Sequence, residues 1–398
     1  MSQPPPPAVS DPLAWPRRLV TLGLLTAIVG SSAPIPLYPI FRDTLALDAS
    51  TMTLIFVAYI VGVLASLLGL GQVMARLANP YRLLAPALVT VAIGALCMAS
   101  ANSLSWLLLG RLLAGLGTGG VTVAANAALL ELTPGNPRRA ALLSSLPFGV
   151  GSALGPILTG ILLQLALWPL VMPFLAIAAS ALLALVAALQ RWNSHRRPPG
   201  QATPAPAATL APGPIPWTGF LICAASIFSA WSMGSMNMAL GPYFGQALFG
   251  YDNYALSGYV VSGYLITTTL SQWLQRHRPM RESFVQNCLL ALLGLALLAV
   301  AVRLQWLALA LPALLLAGLG HGAAFGAGAG LLNQIAPPNH RARLVSWFYT
   351  AGYLASLGPL AVGVIIDHSN PATGLYSYLA ATAVLLLLIL AGLRRGLR

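Results

Sequence analysis

The stretch "RLLAGLGTGG" (Arg111–Gly120) has a near copy in "LLAGLGHGA" (Leu315–Ala323). Aligning Gly115 with Gly318 sets an offset of 203 residues, and the offset persists without a gap. "TPGNPR" (Thr133–Arg138) then meets "APPNHR" (Ala336–Arg341), and "ALGPILTG" (Ala153–Gly160) meets "SLGPLAVG" (Ser356–Gly363). The chain is a duplication. The first copy lies inside an apolar run from Ser105 to Leu130 that carries one charge, Arg111.

Composition says what surrounds these runs. Of 398 residues, 58% are hydrophobic and only 7% charged, against about 25% charged in soluble domains. Apolar runs long enough to cross a hydrocarbon core of about 30 Å as helices recur throughout. They predict an all-α integral membrane protein of twelve transmembrane helices, at 18–41, 52–74, 82–100, 105–130, 140–164, 167–190, 217–241, 255–275, 284–302, 305–333, 343–366 and 372–393. The predicted organisation is a disordered cytoplasmic tail (1–17), a six-helix bundle (18–190), a Pro- and Ala-rich linker (191–216) and a second six-helix bundle (217–398). With six helices each, both copies enter the membrane in the same sense. A pseudo-two-fold axis along the membrane normal then relates them, with a site between them near the midplane.

All twenty basic residues are arginine. Seventeen fall in the tail, the linker and alternate connections, two (Arg42 and Arg303) on the opposite side, and Arg111 within a span. Cytoplasmic loops retain positive residues, so both termini are expected in the cytoplasm of a bacterial inner membrane. The net charge of +13 therefore points to topology rather than to nucleic acid. Without lysine there is neither a P-loop nor Schiff-base chemistry. Cys97, Cys223 and Cys288 lie in apolar runs and read as small hydrophobes rather than metal ligands. No nucleophile–base pair or cofactor motif stands out, so the expectation is a protein that is not an enzyme, carries no cofactor and acts as a monomer.

A charge at a helix centre costs about 2.5–3.5 kcal/mol on insertion scales, so buried ones face protein or an aqueous cavity. Arg111 shares its face with Gly115 and Gly119, a small-residue ridge that belongs against protein. The repeat partner of Thr118 is His321, the one histidine well inside a span. Seven residues separate Arg111 from Thr118, nearly two full turns, so the two share a face. Pseudo-symmetry then turns His321 inward, where an imidazole suits proton coupling. No carboxylate lies deep in a span; Glu131 could reach in from the cytoplasmic end. Pro156 and Pro359, at matching points of spans 5 and 11, remove backbone donors and favour bends.

Over its whole length the chain resembles the major facilitator superfamily. Arg111-x3-Gly115-x-Gly117 resembles that superfamily's fourth-helix motif, which implies a role for Arg111 near the proton or substrate path. Gly151-x3-Gly155-Pro156-x2-Thr159-Gly160 resembles its fifth-helix antiporter motif and implies gating at Gly151, Gly155, Pro156 and Gly160 and at the partners Gly358 and Pro359. "GQVMARLANPYR" (Gly71–Arg82) matches the superfamily's loop motif at Gly71 and Arg76 but has Ala75 where an aspartate is usual. The helices that the superfamily turns to its centre place Tyr38, Tyr59, Thr118, Asn126, Trp231, Asn237, Tyr264, Asn333 and Tyr353 along a substrate cavity. The resemblance implies proton-coupled export of small organic, drug-like or metabolite molecules, with Arg111, His321 and Glu131 in coupling. The alternative is an importer or facilitator of a small polar solute or organic anion. Partners are then a small-molecule substrate, the proton and the lipid bilayer.

Overall fold

The computed structural model describes residues 11, 13–76, 79–192, 215–251, 253–275, 278–337 and 340–396. The tail at 1–10 and 12, most of the linker, and the surroundings of Gly71 and of the Arg76 side chain lie outside what is described. The fourteen helices described are α1 Ala14–Ser32, α2 Tyr38–Leu45, α3 Ala49–Arg76, α4 Tyr81–Ala99, α5 Leu104–Leu132, α6 Pro137–Gln164, α7 Met172–Trp192, α8 Trp217–Phe249, α9 Tyr254–Gln275, α10 Met280–Leu304, α11 Leu307–Ile335, α12 Arg341–Ala355, α13 Gly358–His368 and α14 Pro371–Gly396. Two spans are interrupted. Pro34 and Pro36 separate α1 from α2 through a 3₁₀ turn at Ile35–Leu37, and Ser356–Leu357 separate α12 from α13.

Eleven stretches among the described residues are long and apolar enough to cross a bilayer. The twelfth helix, α9, has 22 residues but carries Ser and Thr where the others carry Leu. The reason is its place between the halves. Ser262 donates to the Ala153 carbonyl of α6 at 2.8 Å, and Ser271 to the Leu319 carbonyl of α11 at 2.6 Å. On its covered face, hydroxyls that bond to neighbouring helices take the place of lipid-compatible side chains, while Ile266, Leu270, Trp273 and Leu274 face outward.

The duplication is legible atom by atom. Helices α5 and α11 both have 29 residues, and their ends correspond at the 203-residue offset. In α5, a Cβ on Gly115 would run into the Tyr59 carbonyl of α3, and one on Gly117 would sit 2.7 Å from the Val91 nitrogen of α4. In α11, Gly318 presses on Tyr264 of α9 and Gly320 on Ala291 of α10 in the same way. Ser66 donates to the Leu116 carbonyl at 2.5 Å, as Ser271 does to that of Leu319. Lipid is as apolar as leucine, so close backbone contact and such hydrogen bonds, rather than hydrophobic burial, hold these helices together.

The halves meet along two seams, α6 with α9 and α3 with α13. Helix α3 packs extensively on α13 but not on α12, the segment nearer the arginine-rich side. The hydrogen bonds between halves also gather on the arginine-poor side. Asp367 of α13 accepts from the Ala49 and Ser50 nitrogens at 2.8 and 3.0 Å, across the N-terminus of α3. The Tyr254 hydroxyl donates to Asp43 at 3.1 Å, and Arg42 to Gln246 at 3.3 Å. Among the described residues, these hydrogen bonds tie the halves together on the arginine-poor side.

Candidate functional site

Helices α1 and α5 of the first half make no extensive contact with α8 and α11 of the second, and the candidate side chains stand on these two walls. On the first wall Arg111 is fully buried. Its Nη1 donates to the Ser31 carbonyl of α1 at 3.1 Å, and its guanidinium lies 4.5 Å from the centroid of the Tyr59 ring. A charge-assisted hydrogen bond and a desolvated cation–π contact contribute about 1.5–3 and 0.5–2 kcal/mol. Nε and Nη2 have no hydrogen-bond partner, nor does the hydroxyl of Tyr38, which is 1% exposed and within electrostatic reach of Arg111. Each donor left unpaired costs about 1–3 kcal/mol. The contacts seen therefore offset burial of the charge only in part.

The second wall is aromatic. Trp231 of α8 meets Tyr353 of α12 edge-on, with centroids 4.8 Å apart, and lies 6.3 Å from Tyr349 and 6.4 Å from Phe325. Tyr353 lies within electrostatic reach of Tyr59 on the opposite wall. Beside this cluster His321 pairs through Nδ1 with the Tyr264 hydroxyl at 2.9 Å. The ring rests on Gly234 of α8, where a Cβ would come within 2.8 Å of it.

The remaining candidates divide by place. Thr118 is buried, its hydroxyl donating to Ala114 and Ala27 carbonyls at 2.7 and 3.2 Å, so it ties α5 to α1. Asn126 is half-buried with an unpartnered Oδ1. Asn237 and Tyr264 line a separate, largely apolar cavity of about 120 Å³ inside the second half, among α8, α9, α10, α11 and α14. Glu131 and Asn333 are exposed at the arginine-rich ends of α5 and α11. Gly151 and Gly155 seat α6 on Ile28 and on the Ser32–Ala33 turn, while Gly160 seats it on Ala255 of α9. Pro156 lies inside an unbroken α6, whereas Pro359 opens α13 just beyond the break. Sequence reasoning missed Tyr349 and Phe325. Both were signalled by spacing, four residues from Tyr353 and from His321 respectively, which puts each pair on one helix face. It also missed the Arg42–Asp43–Gln246–Tyr254 cluster and the Asp367 cap, which only the meeting of distant turns creates.

Residues 20–359 match the model of the Major Facilitator Superfamily. No curated protein sequence matches the chain. Among solved structures it is similar to a bacterial homologue of the human lysosomal transporter Spinster in an inward-facing, unoccupied conformation, with 17% identity, TM-score 0.71 and 97% of each chain covered. It is also similar to a POT family transporter in complex with a thioalcohol-conjugated peptide, with 15% identity, TM-score 0.73 and 95% of each chain covered. A third is the nucleoside transporter NupG, with 14% identity, TM-score 0.69 and coverage of 94% of this chain and 98% of that one. Such identities speak to fold alone, but the family match spans most of the sequence. The chain belongs to the major facilitator superfamily and is a multi-pass membrane solute transporter rather than an enzyme.

Proposed function

We propose that the protein exports small organic molecules from the cytoplasm in exchange for protons, by alternating access of a cleft between its two halves. The observation that carries the reading is the His321–Tyr264 pair. It sets the one histidine deep in a span beside an aromatic wall, and imidazole is the side chain whose charge changes near neutral pH. The aromatic wall of Trp231, Tyr349, Tyr353 and Phe325 suits a flat or amphipathic body. Tyr59, on whose ring Arg111 stacks, lies within electrostatic reach of Tyr353 and supplies a polar counterpart.

The test is accumulation of candidate compounds in inverted vesicles with an imposed pH gradient. Gradient-dependent accumulation that His321→Ala abolishes supports the reading; equal accumulation without the gradient overturns the coupling.

A second reading, import or facilitated passage of an organic anion, is favoured by the incompletely paired Arg111 and by spans whose interiors hold no carboxylate. Gradient-independent uptake of anions by right-side-out vesicles, absent from cells lacking the gene, would select it. In either reading the arginine-rich face, with both termini, is cytoplasmic.

A further inference from the structure

We propose that the apolar cavity inside the second half is a binding site for a compact, uncharged, apolar molecule of about benzene size. An apolar cavity of about 150 Å³ suffices to bind benzene or xenon, and this one has about 120 Å³. The room is marked independently at Gly245, a wall residue on α8, where a Cβ would meet no atom within 4 Å. A guest there gains dispersion contacts with five helices at once, α8, α9, α10, α11 and α14.

The wall decides the class of guest. No charged residue lines the cavity, so an ion would be buried without a partner. Met236, Val261, Leu295, Leu314 and Ala317 offer no hydrogen bonds, whereas a held water needs two to four polar partners. The rings of Phe244, Phe249 and Tyr264 add edges and faces that suit an aromatic guest. Val261, Tyr264 and Ala317 are buried, but Phe249, Tyr251 and Leu307, at the arginine-poor ends of α8 and α11, are half-buried and mark the way in.

Occupancy is felt at His321, which does not itself line the cavity. Tyr264 is shared, its ring in the cavity wall and its hydroxyl paired with His321 Nδ1 at 2.9 Å. Helix α8 is shared too, with Met233 and Met236 on the cavity and Gly234 under the His321 ring. A bound guest braces both supports of the imidazole without entering the path between the halves. The inference goes beyond the transport reading and stands whatever solute the protein carries.

The test uses purified full-length protein in lipid nanodiscs, with fluorobenzene binding followed by ¹⁹F NMR. Saturable binding is expected, displaced by ethylbenzene but not by its charged isostere benzylammonium. Gly245→Leu sets a side chain in the open space and should weaken fluorobenzene binding roughly tenfold or more. Crystals pressurised with xenon give a second measure, with xenon expected among Met236, Val261 and Leu314. Should Gly245→Leu fail to fold, the xenon position decides alone. Binding unchanged in Gly245→Leu, equal displacement by benzylammonium, or no xenon beside those residues overturns the site. The coupling has its own readout. Fluorobenzene should shift the His321 ring ¹⁵N resonances, assigned with His321→Gln, in the unsubstituted protein and not in Gly245→Leu. Unshifted resonances beside saturable binding remove the coupling and leave the site.

Discussion

At the scale of single residues, the decisive quantity is the distance between backbones. Gly322 of α11 lies against the Thr268 carbonyl of α9, with no room for a methyl group. Four residues on, a Cβ at Gly326 would meet nothing within 4 Å. The sequence spaces these glycines identically, so periodicity alone assigns them one role; the structure gives them two. Gly322→Ala should destabilise by about 1–3 kcal/mol through overpacking. Gly326→Ala should be neutral or gain up to about 1 kcal/mol from helix propensity. Unfolding midpoints of the two variants in detergent check the contrast, and equal losses would contradict it. Arg111 shows the same division of legibility. That it faces protein could be read from Gly115 and Gly119 on its own face. That it stacks on Tyr59 and bonds to Ser31 could not, because those contacts depend on where α1 and α3 cross α5.

At the scale of elements, helix ends decide how the halves hold together. Asp367 places a carboxylate on the N-terminal nitrogens of α3, where an unpaired helix terminus attracts negative charge. A cap of this kind is worth about 1 kcal/mol. It exists only while the arginine-poor side is closed. Asp367→Ala should therefore shift the conformational equilibrium several-fold toward opening on that side, following a free-energy change of about 1 kcal/mol. Reaction of a Tyr349→Cys probe with an impermeant thiol reagent from the arginine-rich side should slow in proportion; an unchanged rate would argue that the cap adds nothing. The matching prolines of the two halves sit in different local settings. Pro147 and Pro156 sit inside a continuous α6, yet at the matching place the second half breaks before Pro359. A proline removes a donor in both cases, but α6 stays hydrogen-bonded through Pro156, next to a Gly155 seated tightly on the Ser32–Ala33 turn. Pro156→Ala should leave transport nearly unchanged, whereas Pro359→Ala should lower its rate by allowing α12 and α13 to fuse; vesicle uptake rates compare the two.

At the scale of the whole molecule, the all-helical multi-pass fold was legible in apolar run length, and the arginine distribution predicts its orientation. Apolar run length and alternating charge require no knowledge of packing. The span at 255–275 carries the weakest apolar signal, because hydroxyls of α9 bond to neighbouring helices, Ser262 to α6 of the other half and Ser271 to α11 of its own. What the sequence could not convey was the choice of conformation, since opposite states share every helix and differ in which ends touch. Fusions of a fluorescent reporter at the C-terminus and within the linker should both be fluorescent, and a periplasm-dependent phosphatase at the same places inactive. The reverse at either site would overturn the orientation.

The interrupted eleventh span has a mechanical corollary. Gly358, the repeat partner of Gly155, has no atom closer than the Ser232 hydroxyl at 3.7 Å from its would-be Cβ, so the joint beside it is slack where its counterpart is clamped. The two halves are alike in outline and unlike in compliance. Deformation during the cycle should concentrate at one elbow, immediately next to Tyr353. An inhibitor wedged against that elbow would stall the cycle allosterically, without competing for anything held by the rigid partner at Arg111.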